Sequence, residues 1–251
     1  MTEKSLSEKL SLFVRSWLSG EKCAVCGERE TGGEEVVCPR CREQLAKAER
    51  EYCTGCGRRV CDCLCARPCM TESGCGTFVK LFFYGRSDDS PRNSVIYRLK
   101  NRRDRQLCSF LAAKLAPKIL ALIDSRLILP DEALIVPVPR GRARAAEAGT
   151  DQADELARAL SRKTGIPYRR VIVRVREGLP QKELDAAGRR ENAKGTFAAS
   201  PGLDLSGFTA IIVDDVVTTG STVAECAAAL REAGARDVIC AALASDELKA
   251  V

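Results

Sequence analysis

Three Cys-x-x-Cys pairs, Cys23/Cys26, Cys38/Cys41 and Cys53/Cys56, follow one another with eleven residues between each pair and the next. Eleven of the chain's 14 cysteines lie between Cys23 and Cys75, and only Cys108, Cys226 and Cys240 fall outside that stretch. The chain holds no histidine. Imidazole bases, Ser-His and Cys-His nucleophile pairs and metal sites with a ring nitrogen are therefore excluded, and any zinc here would have to be held by thiolates alone.

A Cys-x-x-Cys turn sets two thiolates on one side of a tight loop, and two such turns complete a tetrahedral zinc site. Cys26-Gly27 and Cys56-Gly57 fit a knuckle whose turn is relaxed by glycine, whereas Cys41 opens the run CREQLAKAER, rich in helix formers. A knuckle and a helix start together form a treble-clef-like pair, so Cys23, Cys26, Cys38 and Cys41 are assigned to one zinc. Cys53 and Cys56 need two partners from Cys61, Cys63, Cys65 and Cys69. The expected pair is Cys61 and Cys63, with Cys65 the nearest substitute. The competing iron–sulfur reading lacks the tandem cysteine run of ferredoxins. Closed all-thiolate zinc sites hold small folds together and do no chemistry, so about two structural zinc ions are expected.

At 251 residues the chain suits one medium domain plus a small one. Residues 1–22 carry Leu6, Leu10, Phe13 and Trp17 at helical spacing, and Lys9 and Arg15 interrupt the apolar core a signal peptide needs. They read as a short amphipathic helix, ahead of a zinc-binding module at 23–76 and a second domain at 77–251. No apolar run is as long as a membrane span, the best candidates being strand-sized pieces such as 133–138. A soluble, cytoplasmic protein without membrane contact is expected, and a reducing compartment favours metal over disulfides.

The net charge of +6 is modest, but its basic residues cluster. Residues 92–105 hold six against the single acid Asp104, and residues 158–176 hold seven with no acid. Such stripes attract polyanions, although single members such as Arg158, Arg162 and Lys163 also suit the solvated face of a helix.

From residue 77 the pattern alternates. Strands are expected at 77–84, 133–138, 168–175, 209–213 and 238–244, and helices at 94–101, 106–124, 151–163 and 221–233, the second bent at Pro117. Residues 178–195 are polar and basic without a period and read as a loop. The order implies an α/β fold with a mostly parallel sheet flanked by helices.

The stretch IIVDDVVTTGST, Ile211 to Thr222, carries the functional signal. A buried strand ends in two carboxylates, and a loop of small residues then leads straight into a helix. Backbone N–H groups from Thr218 to Thr222 can wrap a phosphate at the positive end of that helix. Asp214 and Asp215 would repel the phosphate unless they serve a hydroxylated part of the same ligand. A sugar phosphate meets both demands.

This motif resembles the phosphoribosyl pyrophosphate (PRPP) loop of type I phosphoribosyltransferases. The wider arrangement is similar to the ComF family, in which a cysteine-rich zinc module precedes a phosphoribosyltransferase-like domain and which is known for roles in natural competence. The resemblance covers Cys23 to about Ala244. It implies that Asp214 and Asp215 hold the ribose hydroxyls and are the catalytic carboxylates, and that the PRPP set continues through Val216, Val217, Thr218, Thr219, Gly220, Ser221 and Thr222. Pro139 and Arg140, in Val136-Pro-Val-Pro-Arg140, resemble the pyrophosphate loop. Arg174, Gln181, Leu184, Arg189 and Asn192 fit the spaced pattern of a flexible hood. Where the family usually has Arg-Gly-Phe-Asn-Gln, this chain has Ala148-Gly-Thr-Asp-Gln152 and keeps only Gly149 and Gln152.

Two functions follow from that resemblance. One is transfer of the phosphoribosyl group from PRPP, with Mg²⁺, to an unidentified acceptor, for which a carboxylate or the ligand itself must serve as base. The other is a non-catalytic PRPP- or nucleotide-responsive module that binds single-stranded DNA or a helicase partner. Aromatic residues make up 5% of the chain, so DNA contact would be mainly to phosphates, with stacking on few residues such as Tyr97 and Tyr168.

Overall fold

A computed structural model of the chain describes residues 22–28, 36–84, 91–101, 104–140, 151–176 and 195–246. The amphipathic helix expected at the N-terminus lies outside these, as do Arg102, Arg103 and residues 177–194.

A four-stranded parallel sheet forms the centre, from β1 (Thr77–Phe83), β2 (Ala133–Pro137), β5 (Thr209–Val217) and β6 (Asp237–Ser245) in the order β1-β6-β5-β2. Its strands are near-continuous apolar runs because both faces are covered. Ile211 and Val213 pack with α4 (Arg105–Ser125) and α5 (Gln152–Thr164), while Ala210 and Ile212 pack with α6 (Ser221–Glu232). A separate antiparallel ribbon joins β3 (Ile172–Arg174) to β4 (Phe197–Ala199), a strand the sequence pattern does not mark.

Two extents differ from expectation. The strand expected at 168–175 is split: Arg169 N–H donates to the Ile135 carbonyl, and Ile135 N–H to that of Pro167, on the outer edge of β2, whereas only residues 172–174 pair with β4. β5 runs past residue 213 to Val217, because Asp214, Val216 and Val217 stay in register with Ala242, Ala244 and Ser245. A carboxylate at a strand end does not stop a ladder that the backbone can continue.

Asp104 caps α4, accepting from Leu107 N–H at 2.8 Å, and the helix continues through Pro117, which lies on its exposed side. The helix is also long and apolar enough to cross a membrane, a length of apolar character not apparent in the sequence because Lys114 and Lys118 interrupt it. Here it is a core helix, with Leu107, Leu111, Leu115 and Ile119 buried.

The cysteine-rich segment contributes α1 (Pro39–Ala48) and the single-turn α2 (Pro68–Glu72), and α3 (Pro91–Asn101) follows β1. Val25, Val37 and Leu45 belong to the same buried cluster as Leu99 and Leu111, so this segment shares a core with the sheet. Charge pairs reinforce the seam: Lys114 meets Glu49 at 2.7 Å and Arg92 meets Glu51 at 2.5 Å.

Candidate phosphate loop and cysteine clusters

The two knuckles are built alike. Gly27 N–H donates to the Cys23 carbonyl at 2.9 Å and Gly57 N–H to that of Cys53 at 2.8 Å, each glycine holding a positive φ (78° and 69°) that a side chain disfavours. Cys38 is the N-cap of α1 and its sulfur accepts from Cys41 N–H at 3.4 Å. The sulfurs of Cys23, Cys26, Cys38 and Cys41 all lie within 4.8 Å of one another, with Cys26 and Cys38 at 3.9 Å. Tetrahedral zinc, with Zn–S bonds of about 2.3 Å, sets its sulfurs roughly 3.8 Å apart, so the group fits a single ion.

The second cluster is Cys53, Cys56, Cys63 and Cys65. Cys65 takes the place expected for Cys61. Cys61 sits in the 3-10 turn Val60–Asp62, where its carbonyl accepts from Lys118 at 2.9 Å. From Cys63 onward the backbone is extended, and residues two apart on extended chain point the same way, which brings Cys63 and Cys65 together. Each cluster also contains one readily ionised thiol. Burial would raise Cys23, but the amides of Cys38, Cys26 and Val25 bring it down to about 7. The Arg58 amide, against burial, brings Cys56 to about 7, whereas burial pushes Cys65 up to about 12.

At the sheet's carboxyl end, Asp214 and Asp215 lie within β5 and fold back on the chain. Asp214 Oδ1 accepts from Asp215 N–H at 2.8 Å, and Asp215 Oδ1 from Val216 N–H at 2.9 Å. Asp215 faces a small recess that includes Leu99, Cys108, Gln152, Glu155 and Leu156. Asp214 looks the other way, where its charge helps, after burial, to raise the thiol of Cys226 on α6. Adjacent strand residues diverge in this manner.

Gly220 opens α6 at φ 82°, with no side-chain cap and no acidic residue in the first turn. Thr219 Oγ1 and Ser221 Oγ lie 3.0 Å apart, placing two hydroxyls beside these amides. Ser221 N–H donates to Thr219 Oγ1 at 3.4 Å, and the first turn of this twelve-residue helix sets its N–H groups and the positive end of its dipole toward the loop that follows β5.

One wall of this loop comes from the cysteine-rich segment, a contact the sequence reading missed. Met70 and Arg67 pack where a side chain on Gly220 would go, the Cys69 thiol donates to the Thr219 carbonyl at 3.4 Å, and Arg67 donates to the Asp246 carbonyl at 2.5 Å. The run ARPCM carries no phosphate-loop signal in the sequence.

The other expected positions are less concentrated. Pro139 and Arg140 follow β2, where Val138 N–H bonds the Val213 carbonyl at 2.9 Å and so carries the chain past the end of β5. Arg140 helps offset the burial that raises the Asp151 carboxyl at the start of α5. Arg174 donates to the Arg176 carbonyl at 3.3 Å and stacks over Phe197. Gln181, Leu184, Arg189 and Asn192 lie outside the described residues. Of the basic stripes, Arg158 and Arg170 both bond Asp154. Tyr168 donates its hydroxyl to the same carboxylate and is not an open stacking platform, whereas the Tyr97 ring is 71% exposed.

The phosphoribosyl transferase domain family matches residues 146–250, which include both carboxylates and the loop. The DNA utilization protein YhgH of Salmonella typhimurium is 35% identical over 216 residues, spanning 80% of this chain and 93% of that protein. Competence protein F of Haemophilus influenzae is 30% identical over 219 residues, with the same coverage. The chain belongs to the ComF family. Both relatives align with 80% of its length. A purine phosphoribosyltransferase from Pyrococcus horikoshii is a more distant likeness, at 15% identity and a TM-score of 0.30 over 57% of this chain and 93% of that one.

Proposed function

We propose that this ComF protein binds PRPP with Mg²⁺ at the end of β5 and transfers the phosphoribosyl group to an acceptor as part of DNA uptake. The observation that carries the reading is the start of α6 at Gly220, where the helix begins on a glycine with no acidic residue in its first turn, five residues after the paired carboxylates of β5. The 5-phosphate takes the amides of Thr218 to Thr222. Asp214 and Asp215 must then release the amides they now accept and turn to the ribose hydroxyls. Arg140 faces the pyrophosphate that leaves the anomeric carbon. Mg²⁺, when bound, offsets the charge of that leaving group. The two cysteine clusters each hold one zinc in a structural role, and the protein works in the cytoplasm.

The second reading, a PRPP-responsive module acting on single-stranded DNA or a helicase, draws on the names of the relatives and on the exposed Tyr97 of the basic helix α3. Turnover separates the two. Pyrophosphate released from PRPP and Mg²⁺ with a panel of nucleobases, and lost in Asp215→Asn, is the enzyme's result. PRPP binding without release under every acceptor tested is the module's.

A further inference from the structure

β1 reads TFVKLFF, and its one charged residue, Lys80, is 1% exposed. An ammonium at that depth needs an acceptor for each of its three N–H bonds and a negative charge within reach. The acceptors are all backbone carbonyls: Cys63 at 3.2 Å, Cys65 at 3.2 Å and Phe78 at 3.3 Å. The ammonium also lies 4.6 Å from the centre of the Phe78 ring. Among the described residues no carboxylate is within ion-pair distance of it. Two of its three acceptors belong to cysteines of the second cluster.

We infer that Lys80 is the built-in counter-charge of the second cysteine cluster. The inference rests on that cluster holding a divalent metal. Four thiolates around a divalent ion leave two negative charges in excess, and the cluster's inner side is buried, so water does little to screen them. Lys80 supplies a positive charge from the sheet side while its N–H bonds fix the peptide groups of two ligands. It therefore acts on the metal through Cys63 and Cys65 as a positioning residue. The first cluster has a lesser counterpart in Arg98, which donates to the carbonyl of its ligand Cys23 at 3.4 Å. In both clusters the cation comes from the sheet domain and its acceptor is the carbonyl of a ligand. A lysine chosen only to tie a loop to a strand would need neither feature.

The test uses the full chain purified with its metal. Metal content is measured by elemental analysis and loss of metal by a colorimetric chelator, with Cys23→Ser and Cys65→Ser assigning the two release phases. Lys80→Met should accelerate release from the second cluster at least tenfold and leave the first phase unchanged. In a Cys65→Ser background, where no tetrathiolate remains, Lys80→Met should leave the thermal midpoint unchanged or raise it. Wild-type release kinetics in Lys80→Met, or an equal fall in midpoint in both backgrounds, would overturn the proposal and leave Lys80 a hydrogen-bonded clip. A wild-type protein with no metal at the second cluster overturns the metal reading as well, which distinguishes the two failures.

Discussion

Met70 occupies the space beside Gly220 in which a side chain would begin: its Cγ and Sδ both lie 3.0 Å from the position of a β-carbon on that glycine. The candidate phosphate loop is thus walled on one side by the cysteine-rich segment, and the glycine answers both to its positive φ and to this close approach. Gly220→Ala should lower stability by about 1 kcal/mol from backbone strain alone, with crowding against Met70 added. Measured against Met70→Ala alone, which carries its own cavity cost, adding Gly220→Ala should then cost less than in wild type, because the Met70 part of the crowding is gone while the strain and the nearby Arg67 Cβ remain. Chemical denaturation of the single and double variants separates these contributions, and Gly220→Val should also lose PRPP binding.

The clusters predict which cysteines release metal. Cys23→Ser and Cys65→Ser should each lose one of two zinc ions, whereas Cys61→Ser should retain both, because its carbonyl rather than its sulfur is engaged. Cys23 lies far in the chain from Arg67 and Met70, so its loss should leave PRPP affinity largely intact. Elemental analysis that finds iron, or that finds Cys61→Ser short of one ion, contradicts the assignment.

Asp154 gives the chain a defined acid response. Its carboxylate accepts from Arg170 at 2.7 Å and from Arg158 at 2.9 Å and also from the Tyr168 hydroxyl; against burial, these bonds bring it down from 3.8 to about 2. A depressed carboxyl contributes stability above its unfolded value and loses it as pH falls through the folded one. The contribution is therefore full above about pH 4 and fades toward about pH 2, with at most about 2 kcal/mol at stake. Asp154→Asn should be less stable than wild type at pH 7, and the gap should close on acidification. Urea midpoints measured across that range check the sign.

Nucleic-acid binding, if carried by the basic stripes, is an electrostatic matter. Affinity for single-stranded DNA should fall steeply with salt, and charge reversal at Arg102 and Arg103 should weaken it for all sequences alike. Reversal at Arg158 should matter less, because its charge already answers Asp154. Fluorescence anisotropy at low salt provides the measurement, and absence of binding there transfers the contact to a protein partner.

The parallel sheet and its helices were legible because β6 and the first half of β5 are apolar runs and α5 has its face and caps written in residues 151–165. The loop was legible because carboxylates, small residues and a helix start coincide within twelve positions of sequence. What escaped was what depends on distant chain. β4 is three residues held by its partner β3 and leaves too short a pattern to read. The choice of Cys65 over Cys61 turns on where a 3-10 turn ends, which spacing does not determine. Nothing local in ARPCM foretells its seat against Gly220, and the burial of Lys80 is plain only once the sheet is closed.

The central claim is that the end of β5 and the start of α6 bind PRPP. Calorimetric titration of PRPP with Mg²⁺ into wild type and Asp215→Asn, with folding of both verified, tests it most directly. Loss of charge-assisted hydrogen bonds worth roughly 1.5–3 kcal/mol each should weaken the variant's binding at least tenfold, while Thr219→Ala, whose backbone donors remain, loses less. No measurable affinity in wild type, or an Asp215→Asn that binds as tightly, would mean that the fold is retained without the site.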